Sequence, residues 1–179
     1  MNIKRIFVEK KDGFNIEAVS LTKELKEHLF ISGIEHVRIL YRYDIENISD
    51  EIYELARKTI FSEPPVDFVY DEEFLVNPKD KIFAIEYLPG QYDQRADSAS
   101  QCIQILTQGE RPNVKYAKVV IVNGSVSDED LSKIKHYLIN PVDSREATNP
   151  KSLQRLIIRV TSGFLKSRCI FLSSGAFPF

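Results

Sequence analysis

The sequence has no tryptophan, one methionine, three histidines and two cysteines in 179 residues. Cys102 and Cys169 are far apart, and nothing requires a disulfide. The seven glycines form neither G-x-G-x-x-G nor a P-loop, so neither common nucleotide-binding loop is present. The histidines have no metal-ligand spacing with each other or with the cysteines. We therefore expect no metal and no cofactor in this chain.

Acidic residues are missing from the C-terminal part. All 26 lie at or before Glu146, whereas five of the 24 basic residues follow it, so residues 1–147 carry a charge of −7 and residues 148–179 a charge of +5. This change predicts a boundary near residue 147. The acidic body argues against nucleic-acid and membrane partners. With no secretory signal at its start, the chain is expected to be cytoplasmic.

The apolar runs after residue 147 are too short and too charged to cross a bilayer. A basic amphipathic tail lying on a membrane or a partner is an alternative, although its apolar positions keep no helical period. The 43% hydrophobic content of the chain is enough for a sizeable core in a soluble globular protein.

Apolar periodicity predicts four helices and five strands. We expect strands at 6–10, 37–43, 66–70, 81–87 and 117–122. Ser49 and Ser127 are predicted to cap the second and fourth helices. The predicted inward-facing sets, in chain order of the helices, are Ala18, Leu21, Leu25 and Leu29; Ile52, Leu55, Ala56 and Ile60; Ala99, Cys102, Ile103 and Leu106; and Leu131, Ile134 and Leu138. Cys102 is interpreted as a small buried hydrophobe, not a nucleophile.

These elements occur twice in the same order. The segment from Arg5 to Glu9 aligns with Lys81 to Glu86, residues 36–40 align with 117–121, and residues 48–51 align with 126–129. Such self-similarity indicates an internal duplication. We predict an α+β protein of two tandem ferredoxin-like-type βαβαβ halves, about 1–72 and 78–147, packed about a pseudo-twofold axis.

The densest group of polar residues lies between Pro89 and Cys102, where a turn enters the third helix. Helix N-termini attract anions, so this segment is a candidate site for a phosphate or for a carboxylate of a partner. Simple capping and solvation of the helix is the other interpretation, and the residues alone favour it. The corresponding segment of the first half, residues 13–18, is less polar, which indicates an added role for the second half.

Residues 4–147 resemble the N-terminal region of large phosphoribosylformylglycinamidine synthase, especially the clostridial type. The resemblance covers about four fifths of the chain. The segments that carry it are Phe7–Lys11, Val37–Asp44, Phe61–Asp67, Tyr87–Gln104 and Leu138–Glu146.

The resemblance implies a place in purine synthesis. The full family enzyme uses ATP, magnesium and glutamine to convert formylglycinamide ribonucleotide into its amidine. In the family this N-terminal region is similar to a fused dimer of a separate small subunit. It is not catalytic, and it docks against the ATP-binding synthase body and the glutaminase domain. The resemblance therefore implies interface roles for Gln91, Asp93, Gln94, Arg95, Asp97 and Ser98.

The resemblance stops at Ala147, and the ATP-binding and glutaminase domains are missing from the sequence. We therefore expect the chain alone to lack synthase activity. Residues 148–179 are interpreted as a truncated or out-of-frame end, with an authentic short C-terminal element as the alternative.

Two other functions remain open. The chain could be a stand-alone module, similar to the small subunit, that bridges a separate synthase body and glutaminase. A single-stranded nucleic-acid binder is ranked last, because it would need Tyr41, Tyr43 and Phe68 on an exposed sheet face of an acidic body.

Overall fold

The computed structural model of the protein describes residues 3–147. The elements of the first part are β1 (Ile3–Lys10), α1 (Ile16–Glu27), β2 (Ile34–Glu46), α2 (Asp50–Thr59) and β3 (Asp67–Asp71). Those of the second part are β4 (Lys81–Tyr87), α3 (Gln94–Thr107), β5 (Val114–Gly124), α4 (Asp128–Leu138) and β6 (Ser144–Glu146). The predicted α+β class is confirmed. The predictions for the tail and for Cys169 lie outside the described residues.

One six-stranded antiparallel sheet, in the order β3-β1-β2-β5-β4-β6, joins the two parts through β2 and β5. Residues of all four helices pack on one face of this sheet. On the other face, Phe74 and Val76 from the β3–β4 connection cover the buried Phe7, whose ring centroid lies 4.6 Å from that of Phe74. Within residues 3–147, no helix is long and apolar enough to cross a membrane.

The first helix buries the predicted stripe of Ala18, Leu21 and Leu25. Ser49 and Ser127 also cap α2 and α4 as predicted, accepting hydrogen bonds from the amides of Ile52 (3.3 Å) and Asp130 (3.0 Å). These features could be predicted because helical spacing and cap chemistry are both local.

Three predicted inward positions are wrong. In α2, Tyr53 is buried at 6% exposure and Leu55 is 50% exposed. In α3, Cys102 and Leu106 are exposed, because the helix packs through the smaller side chains of Ala96, Ala99 and Ser100 together with Ile103. A stripe at spacing i, i+3, i+4 and i+7 that includes a serine is not visible from hydrophobicity alone.

The two parts of the sheet have the same strand pairings at a constant separation along the chain. Val8 pairs with Tyr41, and Ile85 pairs with Lys118. We call the separation from Val8 to Ile85, which is also that from Tyr41 to Lys118, the repeat offset. The pairs Lys10–Asp67 and Tyr87–Ser144 are related by the same offset. The repeat offset relates the β1–β2 pairs to the β4–β5 pairs, and the β1–β3 pairs to the β4–β6 pairs, wherever both pairs exist.

Loop geometry follows the repeat offset as well. Gly13 and Gly90, which it relates, both have positive φ, at +86° and +92°. The bond from the Lys11 amide to the Val66 carbonyl has its counterpart between Leu88 and Asp143, each 2.9 Å long. Positive φ also recurs at Asn47 and Gly124, which the offset relates.

This register corrects two of the sequence alignments. In the first strand of each part, Phe83 corresponds to Ile6 and not to Phe7. Phe7 lies on the opposite face of the sheet. Residues 36–40 correspond to 113–117 instead of 117–121. The similar residue types at the aligned positions obscured the actual register, which the strand pairing fixes.

Candidate functional site

The start of α3 is held by its own backbone and cap. The Gln91 amide donates to the Leu88 carbonyl at 3.0 Å in the preceding turn. Asp93 is the N-cap, and its carboxylate accepts from the Ala96 amide at 3.0 Å. Burial raises the pKa of Asp93, although hydrogen bonds from the Ala96 and Arg95 amides oppose this rise. The side chain of Asp93 therefore has a structural role in addition to any role in binding.

Asp97 ties α3 to the strand that follows it. Its carboxylate pairs with the Arg111 guanidinium and accepts from the Tyr92 hydroxyl at 3.0 Å and the Gln101 amide at 3.2 Å. Ser100 accepts from Arg111 Nε at 3.0 Å. Tyr92, Asp97, Ser100 and Arg111 line a cavity of about 400 Å³, in which the Arg111 cation is paired with Asp97.

Arg95 points in a different direction, toward the middle of the sheet. Its guanidinium carbon lies 4.5 Å from the ring centroid of Tyr41 and 5.6 Å from that of Tyr116, a cation–π arrangement. Tyr43 packs beside these rings, with its ring centroid 5.4 Å from that of Tyr116. The arginine thus bridges α3 and both central strands.

Glu17 approaches the same place from α1. Lys118 Nζ donates to Glu17 Oε1 at 2.5 Å, and the Tyr41 hydroxyl donates to the other carboxylate oxygen. Burial opposes ionisation of Glu17, but these two hydrogen bonds outweigh it and lower the pKa of the carboxyl. Burial is the main reason why the pKa of Tyr41 is raised, and the hydrogen bond to Glu17 raises it further. We call Glu17, Tyr41, Arg95, Tyr116 and Lys118 the central cluster.

The six predicted interface residues therefore divide into two groups. Asp93, Arg95 and Asp97 are engaged within the fold. Gln91, Gln94 and Ser98 are exposed, and none makes a side-chain hydrogen bond to another residue of 3–147. The second group is available for contact with a partner.

The residues proposed for base stacking do not form a platform. Tyr43 is buried beneath the helices at 8% exposure and packs on Phe61 at 5.0 Å between ring centroids. Tyr41 lies on that same covered face, whereas Phe68 pairs with Glu9 on the opposite face. These three aromatics therefore do not share an exposed sheet face, which is the arrangement that the nucleic-acid alternative requires.

Sequence reasoning missed Glu17, Arg111 and Lys118. Two of them could have been found through the repeat offset. It leads from Tyr41 to Lys118, and the repeat offset plus one residue separates Glu17 from Arg95.

In the described part of the chain, no group of three histidine, cysteine, aspartate or glutamate residues could hold a metal ion. No protein-family model matches the chain, and no curated protein matches it.

Proposed function

We propose that residues 4–147 form the non-catalytic N-terminal docking region of a phosphoribosylformylglycinamidine synthase. The observation that carries this proposal is the strand register repeated at a constant offset, because the resemblance implies a fused dimer of small subunits. The partners would be the ATP-binding synthase body and the glutaminase domain. ATP and magnesium would belong to the synthase body.

We further propose that the two βαβαβ units arose by internal duplication and pack about a pseudo-twofold axis. Tyr41 and Lys118, which the repeat offset relates, pair directly on β2 and β5. Residues related by a twofold axis that face each other across it must lie beside that axis. The axis would therefore pass through the central cluster.

The exposed residues at the start of α3 support docking as the role of this surface. Gln94 and Ser98 lie one turn apart on the outer side of the helix, and both carry uncharged polar groups. Neighbouring acidic groups are committed to a cap at Asp93 and to an ion pair at Asp97. Such a surface is suited to hydrogen bonding at a polar interface.

Co-purification tests this proposal. The full chain would be mixed with a synthase body that lacks its own N-terminal region and with the glutaminase, then resolved by gel filtration. We expect a stable ternary complex that Gln94→Arg or Ser98→Arg weakens. Thr59→Arg in α2 is the matched control, because Thr59 is exposed on the other half. A folded chain that elutes apart from both partners would refute the docking role.

A further inference from the structure

Each half has a cleft beside the start of its first helix. The cleft of the first half is lined from both faces of the sheet, by Tyr41 on the helix face and by Phe68 on the opposite face. Thr22 of α1 accepts from the Val37 amide at 3.0 Å, and Ser100 of α3 donates to the Pro112 carbonyl at 2.5 Å. Thr22 and Ser100, like Glu17 and Arg95, are separated by the repeat offset plus one residue. Each hydroxyl ties a helix to the strand that follows it or to the loop just before that strand. The cleft beside Thr22 has a volume of about 620 Å³, and the cleft beside Ser100 about 400 Å³.

The cleft of the first half, which we call the apolar cleft, has a hydrophobic rim. Phe14, Val19 and Phe68 line it at 54%, 60% and 48% exposure. The residues that correspond to these three in the second half are Gln91, Asp97 and Arg145. Apolar residues at these three positions are thus specific to the first half, and exposed apolar clusters of this kind mark interaction sites.

Three carboxylates line the apolar cleft, and one of them has no paired cation among residues 3–147. Glu9 is held by Arg38 through bonds of 2.6 and 2.7 Å, and Glu17 is paired with Lys118. Asp12 is exposed at the mouth, and within residues 3–147 its carboxylate accepts only a long 3.4 Å bond from the Asn15 amide. A cationic side chain beside an apolar one would complement this mouth.

The edge of β2 that borders the cleft is already occupied by side chains. The Thr22 hydroxyl accepts a hydrogen bond from the Val37 amide, and Lys26 donates one to the Glu35 carbonyl at 3.0 Å. An added strand would have to displace both bonds. A helix that inserts apolar side chains needs neither of these backbone groups, so the geometry favours helix-in-groove binding.

We propose that the apolar cleft is a second docking surface, which binds an amphipathic basic helix of a partner protein. Apolar side chains of that helix would pack among Phe14, Val19 and Phe68, and a lysine or arginine on its flank would pair with Asp12. This surface is distinct from the exposed residues at the start of α3.

The test is a titration of the full, isotope-labelled chain, followed by nuclear magnetic resonance. The probe is a synthetic helical peptide of about twelve residues, with leucines at i, i+3, i+4 and i+7 and lysines on the flanks. A second peptide has glutamates in place of the lysines. We expect amide shifts to concentrate on residues lining the apolar cleft, and the lysine peptide to bind at least about tenfold more tightly than the glutamate peptide.

Variants make the test specific. Val19→Asp and Phe14→Ser should weaken binding at least about tenfold, and Asp12→Asn should weaken only the lysine peptide. Ile105→Asp is the matched control, since Ile105 is also an exposed apolar residue of a helix and lies outside the cleft. Absence of binding, equal affinity of the two peptides, or insensitivity to Val19→Asp in a folded variant would overturn the proposal. Failure of the ternary complex above would leave these peptide results unchanged, so the two proposals fail separately.

Discussion

Tyr41 and Lys118 face each other on neighbouring central strands, and they occupy the same position in the two repeated strand registers. Glu17 and Arg95, which correspond to each other on α1 and α3, stand beside them. In a symmetric dimer both members of each pair would be identical. A single chain permits different residues at equivalent positions, and here an acidic helix residue on one side meets basic residues from the other.

Exchange of the charges of Glu17 and Lys118 tests this complementarity. Glu17→Lys should destabilise the fold by about 1 kcal/mol, because it places a cation beside Lys118 and Arg95. The double variant Glu17→Lys with Lys118→Glu should recover part of that loss. Urea unfolding of the four chains gives the coupling energy. Strictly additive effects would contradict the pairing.

The lowered pKa of Glu17 predicts an acid-sensitive contribution to stability. The folded-state pKa lies below the ordinary glutamate value of 4.5. The contribution is therefore fully present above that value and is lost as the pH falls through the folded pKa. Thermal unfolding should show a smaller loss of stability for Glu17→Gln than for the parent chain between about pH 5 and pH 3. Identical pH profiles would rule out this contribution.

The packing of α3 can be tested at two residues of the same helix. Ile103→Asp should destabilise the protein by at least about 3 kcal/mol, since it buries an unpaired charge at a position that is 2% exposed. Ile105→Asp, at 76% exposure, should change stability by less than about 0.5 kcal/mol. Leu25→Asp should match Ile103→Asp, because Leu25 is fully buried. Equal unfolding midpoints for the two α3 variants would show that the assigned face is wrong.

Asp93→Ala tests the contribution of the N-cap of α3 to stability. Loss of the bond to the Ala96 amide should cost about 1 kcal/mol. Ser98→Ala should leave the free energy of unfolding unchanged, because Ser98 makes no side-chain hydrogen bond within residues 3–147. Chemical denaturation of both variants measures the difference. Equal stability of Asp93→Ala and the parent would mean that the cap contributes nothing.

Sequence predicted the features of the fold that depend on local pattern, such as the buried face of α1 and the cap at Ser49. It did not predict β6, whose residues Ser144–Glu146 are polar and gain their partners from β4. The contact between Glu17 and Lys118 joins residues 101 positions apart, and no local period encodes it. The same holds for the candidate site: its residues could be selected by resemblance, but only the tertiary structure separates Asp97, which is paired, from Ser98, which is not.

Reconstitution of synthase activity is the decisive experiment for the proposed docking role. Glutamine-dependent amidation would be measured for a synthase body without its N-terminal region, mixed with the glutaminase, with and without the full chain. We expect the chain, inactive alone, to raise this activity, and Ser98→Arg to reduce the increase while Thr59→Arg does not. No increase from a chain whose unfolding transition is intact would contradict the docking role.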